Sequence, residues 1–168
     1  MINFGYQGSE NAKGSSLEGT FSKYANAINN TDNFNVLSYI SSHDKGLGAR
    51  SASAGTALLL NPGGVQTFYG DESGRPAGSG ADYEPARSHM NWSSANKSIL
   101  SNWQKVGRFR RNHIAVGAGQ HTKIADSPYT FSRTYTGKAT VGSETKTDYE
   151  DKVVVSLPGS AGTHEVSV

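Results

Sequence analysis

Cysteine is absent from this 168-residue chain, which excludes disulfide staples and thiolate metal centres while leaving the cellular compartment open. Charge of one sign is scarce as well. The formal balance is +2, too small a surplus to argue for nucleic acid as a partner. No apolar run is long enough to span a bilayer, which argues against a membrane partner, and Met1-Ile2-Asn3 lacks the basic and apolar parts of an export signal. The chain is therefore expected either to be cytoplasmic or to have its signal outside these residues. His43, His89, His113, His121 and His164 are scattered, with none of the short spacings that put two metal ligands on one face. Gly46-Leu47-Gly48 and Gly117-Ala118-Gly119 lack the strand-to-helix context of a phosphate loop and read as turns.

What is present is organised in repeats. Residues 35–42, Asn-Val-Leu-Ser-Tyr-Ile-Ser-Ser, suit a strand buried on both faces, and the run ends abruptly in His43-Asp44. Catalytic side chains of parallel α/β enzymes stand at such C-terminal strand ends, where loops reach substrate. The pattern recurs where residues 64–70 end in Asp71-Glu72. Between the two, residues 51–60 are small and apolar, with Ala54, Ala57 and Leu58 on one helical face and Pro62-Gly63-Gly64 as a stop. An earlier unit begins with the alternating residues 1–6 and continues into a helix opened by a Ser15/Glu18 capping box, with Leu17, Phe21, Tyr24, Ala25 and Ile28 as its apolar stripe. A last helix is expected over residues 97–111, turning Ile99, Leu100, Trp103, Val106 and Phe109 inward. Its basic cluster Lys105, Arg108, Arg110 and Arg111 reads as a wet face and a complement to the helix dipole.

After Arg111 the texture changes to Thr, Ser, Gly and Tyr, with β-like pieces at residues 121–124, 129–135, 152–157 and 164–168. Tyr129, Phe131, Arg133 and Tyr135 share one strand face, as in a small antiparallel sheet, and residues 137–151 read as a long polar hairpin loop. The fold class is thus α/β: three βα units of a (β/α)8 TIM-type barrel over residues 1–115, followed by a small antiparallel β domain over 116–168, with the boundary near 112–118. A barrel needs about eight strands and about 250 residues, so the chain reads as part of a larger enzyme. Three such strands alone leave edges and an apolar face that need cover.

Three motifs in order carry a resemblance. Residues 35–44, with His43-Asp44 as core, together with Phe68-Tyr69-Gly70-Asp71-Glu72 and Arg87-Ser88-His89-Met90-Asn91-Trp92, resemble the strand-seven, strand-eight and following-loop motifs of the α-amylase family of glycoside hydrolases, especially the periplasmic α-amylases of Gram-negative bacteria. The resemblance implies that Asp44 is the family's third catalytic carboxylate, that His43 hydrogen-bonds sugar hydroxyls, and that Asp71-Glu72 fixes loops. It also implies barrel strands six to eight, an α-glucan substrate such as starch or maltodextrin, and a periplasmic or secreted location. The nucleophilic Asp and the acid Glu would lie on strands four and five, outside this chain. No cofactor is expected here, and the ligands of any calcium in the full-length enzyme would also lie outside the chain. Ser41-Ser42 departs from the Asp-Asn that precedes the His-Asp pair in many members.

Trp92 can stack on a sugar face or pack against its loop, and Tyr69 reads as structural. Three functions remain in view. The chain is part of a retaining α-1,4-glucan hydrolase, a non-catalytic carbohydrate-binding piece, or an element that pairs with the missing N-terminal barrel portion or with itself.

Overall fold

A computed structural model describes residues 2–6, 14–32, 34–43, 46–48, 50–79, 85–141 and 143–157. Two three-stranded sheets organise them. In the first, β1 (Ile2–Tyr6), β2 (Asn35–Tyr39) and β3 (Gly64–Val65) lie parallel in that order, with Phe4 opposite Leu37 and Leu37 opposite Gly64. Parallel neighbours need long crossovers, and α1 (Gly14–Asn30) and α2 (Ala52–Leu59) supply them. The carboxyl ends of β2 and β3 consequently open on one edge. α3 (Lys97–Asn112) and the short α4 (Ile114–Ala118) then lead into the second sheet, β4 (Gln120–Asp126), β5 (Tyr129–Val141) and β6 (Glu144–Leu157), which is antiparallel throughout.

Local chemistry sets the helix ends. The Ser51 hydroxyl accepts from Ala54 N–H at 3.1 Å and starts α2, and the Asn96 side chain accepts from Ser98 and Ile99 N–H, both at 3.1 Å, at the start of α3. Gly55 lies against the Trp103 ring, where an added Cβ would come within 2.2 Å of Nε1, so only glycine permits this approach of α2 and α3. Asn102 ties the same pair by donating to Ala52 O at 2.8 Å and to Thr56 Oγ1 at 2.9 Å.

One apolar cluster joins Leu17, Phe21, Ala57 and Leu60 from the α/β part to Ala115 and Val116 of α4 and to Tyr129, Phe131 and Val153 of the second sheet. A second holds Ile40, Ala54, Leu58, Leu59 and Trp103 beneath the strand ends. The antiparallel sheet is therefore docked on α1, α2 and α4 through a shared core.

Several expectations are corrected. β3 has two paired residues, because the chain turns into a loop after Val65. Residues 137–151 are mostly strand: β5 and β6 stay paired out to Val141 opposite Glu144, since alternating Thr and charged side chains suit a largely solvated ladder. Residues 114–118 form a helix that takes in Gly117 and Ala118 of the expected 117–119 turn, begun by Asp151, whose carboxylate takes His113 Nδ1 at 2.9 Å and Ala115 N–H at 2.9 Å. Ser15 lies inside α1 rather than at its cap position, and the Glu18 carboxylate reaches the second sheet. Arg110 turns from the wet face to donate to Leu59 O at 2.9 Å, Asn61 O at 2.7 Å and Gly63 O, satisfying carbonyls at the end of α2; burial lowers its pKa to about 10. Residues 164–168 lie outside the described residues.

Candidate active-site edge

β2 delivers its chain to the open edge through Ile40 and Ser41, both buried. Ser42 and Gly46 then bridge each other through two backbone hydrogen bonds of 3.1 Å, with Gly46 at a φ of 85° that favours glycine. His43 sits in this closed turn, exposed to solvent. Asp44, the expected catalytic carboxylate, lies outside the described residues.

The turn is pinned to the neighbouring strand end. Ser41 Oγ donates to Asp71 Oδ1 at 2.5 Å and accepts from Gly48 N–H at 3.0 Å. Asp71 is 1% exposed, and its Oδ2 has no partner among the described atoms. Burial raises its pKa above the usual carboxylate value, against the opposing pull of the Ser41 and Phe68 hydrogen bonds. Glu72 accepts from Gly70 N–H at 2.9 Å. The loop-fixing role that the resemblance gives Asp71-Glu72 is visible in these contacts.

Arg75, 0% exposed, braces the loop that follows. Its guanidinium lies 3.9 Å from the Tyr69 ring centre and donates to Tyr69 O at 3.0 Å, to Ser88 O at 2.9 Å, to Ser88 Oγ and to Ala86 O at 3.1 Å. Tyr69 adds a bond from its hydroxyl to Ser88 O at 2.9 Å, which supports its structural reading. Gly70, at φ 89°, is obligatory because a Cβ would strike Arg75.

Further along, Ser73 Oγ donates to Asn91 Oδ1 at 2.6 Å and Asn91 Nδ2 returns to Ser73 O at 3.1 Å. This reciprocal pair precedes a 3-10 turn, Trp92–Ser94, on which Trp92 is 83% exposed. An aromatic ring so exposed makes little contribution to packing.

The His43 turn, the Asp71 loop and the Trp92 turn thus form one hydrogen-bonded frame, through Ser41 to Asp71 and through Ser73 to Asn91. Sequence reasoning missed Ser41, Ser73 and Arg75. For Arg75 a signal existed: a lone cation in a loop punctuated by Gly70, Gly74 and Gly78 is poorly explained as surface charge. Among the described residues no three His, Asp or Glu side chains gather as a metal centre requires. No described helix is long and apolar enough to cross a membrane.

Loops fixed at the carboxyl edge of a parallel βαβ sheet, with an antiparallel sheet docked beside it, form the layout of α/β enzymes that work at their strand ends. The chain is a relative of the α-amylases. Over 134 residues, 74% of the chain, it is 42% identical to the periplasmic α-amylase of Escherichia coli K12, and it spans 19% of that relative's length. Among solved structures, a Nostoc punctiforme debranching enzyme overlaps 62% of this chain and 23% of its own at 24% identity, with a TM-score of 0.48. An α-amylase from H. orenii overlaps 92% and 48% at 14% identity, with a TM-score of 0.47. No protein-family model matches the chain.

Proposed function

We propose that this chain forms one side of the active site of a retaining α-amylase that cleaves α-1,4-glucosidic bonds in starch or maltodextrin. The observation that carries the reading is the 42% identity to a periplasmic α-amylase, in a chain whose strand-end loops are braced to one another. In this reading residues 1–115 are strands six to eight of a (β/α)8 barrel, residues 116–168 are the C-terminal β domain, and the protein works in the periplasm.

Asp44 supplies an anion beside the anomeric carbon, where positive charge develops in the oxocarbenium-like transition state, and His43 donates to sugar hydroxyls as those contacts tighten. The nucleophilic and proton-donating carboxylates, about 5 Å apart in a retaining enzyme, come from the barrel strands outside this chain. Any calcium is held there too, and no step here uses it. Trp92 offers its ring to the apolar face of a pyranose. The bonds from Ser41 to Asp71 and from Ser73 to Asn91 hold these loops in place before substrate arrives, so little ordering remains to be done on binding.

In the complete enzyme, Asp44→Asn lowers kcat for soluble starch about 10²-fold or more with a smaller change in KM, and His43→Ala changes both moderately. The 168-residue chain alone releases no reducing sugar, because one stabilising anion has neither nucleophile nor acid to work with. Near-normal turnover by the Asp44→Asn enzyme removes Asp44 from the mechanism. The exposed Trp92 also supports a non-catalytic reading, in which the chain binds α-glucan without turning it over.

A further inference from the structure

Away from the strand-end loops, Glu18 of α1, His121 of β4, and Tyr129 and Arg133 of β5 meet where the antiparallel sheet lies on α1. The His121 side chain is 2% exposed. Its Nε2 is 2.8 Å from Glu18 Oε2, which also accepts from the Tyr129 hydroxyl at 2.8 Å. Its Nδ1 faces Arg133 Nε at 3.3 Å. Arginine Nε always carries a hydrogen, so it is the donor and Nδ1 the acceptor. The ring proton therefore sits on Nε2 and is given to Glu18.

A second proton on His121 must go to Nδ1, the atom that Arg133 occupies. It would remove an acceptor from a guanidinium whose Nη2 already has no partner among the described residues, and set two cations side by side among the rings of Phe21 and Phe131. We propose that His121 is an acid-sensitive latch: in its neutral form it holds the antiparallel sheet against α1, and taking up a proton releases the sheet.

The groups facing it pull in both directions, and the lowering ones prevail. Burial lowers the His121 pKa; the Glu18 carboxylate opposes the shift, and Arg133 reinforces it. Burial works against ionisation of Glu18, but the bonds from His121 and Tyr129 outweigh it and hold that carboxyl below its usual value, with Lys123 of β4 assisting. Arg110 of α3 adds positive charge behind Arg133. Because the folded pKa of His121 lies below the ordinary 6.5, its contribution to stability is complete above that pH and is lost as pH falls through the lowered value. Glu18 adds its own loss only below 4.5.

The test uses the 168-residue chain. Long-range 1H–15N correlation spectra should place the His121 proton on Nε2 at neutral pH and give a pKa below 6.5. Urea unfolding between about pH 7.5 and 5 should show the unfolding constant rising by up to about tenfold per pH unit. His121→Asn, whose Oδ1 keeps an acceptor for Arg133, should show a flatter profile. Hydrogen exchange corrected for intrinsic rate should show β4 losing protection at a higher pH than β2. A proton on Nδ1, titration at or above the ordinary value, an unchanged acid slope in the variant, or simultaneous loss of protection in both strands would each overturn the latch. The wild-type spectra and exchange decide the matter even where the variant does not fold.

Discussion

Two arginines with 0% exposure stand in different parts of the molecule and solve different problems. Arg75 sits in the loop after β3, where its guanidinium donates to the carbonyls of Tyr69, Ala86 and Ser88 and stacks on Tyr69. Arg133 sits in the sheet interface, donating to Leu60 O and Val116 O and lying beside the touching rings of Phe21 and Phe131, with Nη2 lacking a partner among the described residues. Burial drops the pKa of Arg133 to about 9. The first is a bracket that satisfies loop carbonyls within some twenty residues of sequence; the second joins segments more than seventy residues apart. Loop geometry here is set by local polar closure, whereas docking of the sheet combines a shared apolar core with one buried cation that several elements share, and that cation is the point most sensitive to change.

The largest expected effect is at the docking arginine. Arg133→Ala should cost about 3–5 kcal/mol in urea unfolding, since it takes the donor from the carbonyls of Leu60 and Val116 and opens a cavity beside two aromatic rings. A loss no greater than that of a loop variant would dissolve the contrast. Next comes the bracket: Arg75→Lys keeps the charge but cannot fork or stack, so about 2 kcal/mol should be lost, with proteolytic nicking rising between residues 69 and 91.

Asp71→Asn should act in the opposite direction. Burial raises the Asp71 pKa, so its ionisation costs stability as pH climbs above 3.8 and through the raised value. The amide keeps an oxygen for Ser41 and removes that cost. Stability of the variant relative to the wild type should therefore rise between pH 3.8 and pH 7, and a difference that stays constant across that range would show that ionisation of the carboxylate costs nothing. The smallest effect on folding belongs to Trp92→Ala, within about 0.5 kcal/mol for so exposed a side chain. Binding of maltodextrin by the complete protein should nevertheless weaken, as read by isothermal calorimetry. Unchanged affinity would return Trp92 to the status of a loop residue.

The sequence by itself determined the parallel units, because continuous apolar runs, amphipathic stripes and Pro-Gly stops are local signals, and each names its element without help from distant residues. It also determined the kinship, since the His43-Asp44 and Phe68–Glu72 motifs are contiguous strings. It misjudged the polar stretch 137–151, whose pairing comes from a partner strand rather than from burial. Only the tertiary structure decided which side chains brace which loops: Ser41 with Asp71, Ser73 with Asn91, and Arg75 with carbonyls of three residues. It alone turned Arg110 inward and gathered Glu18, His121 and Arg133 from positions more than a hundred residues apart. The reason is physical. A hydrogen bond to a distant carbonyl leaves no periodicity in the chain, and a buried cation is written with the same letter as an exposed one until the fold removes its water.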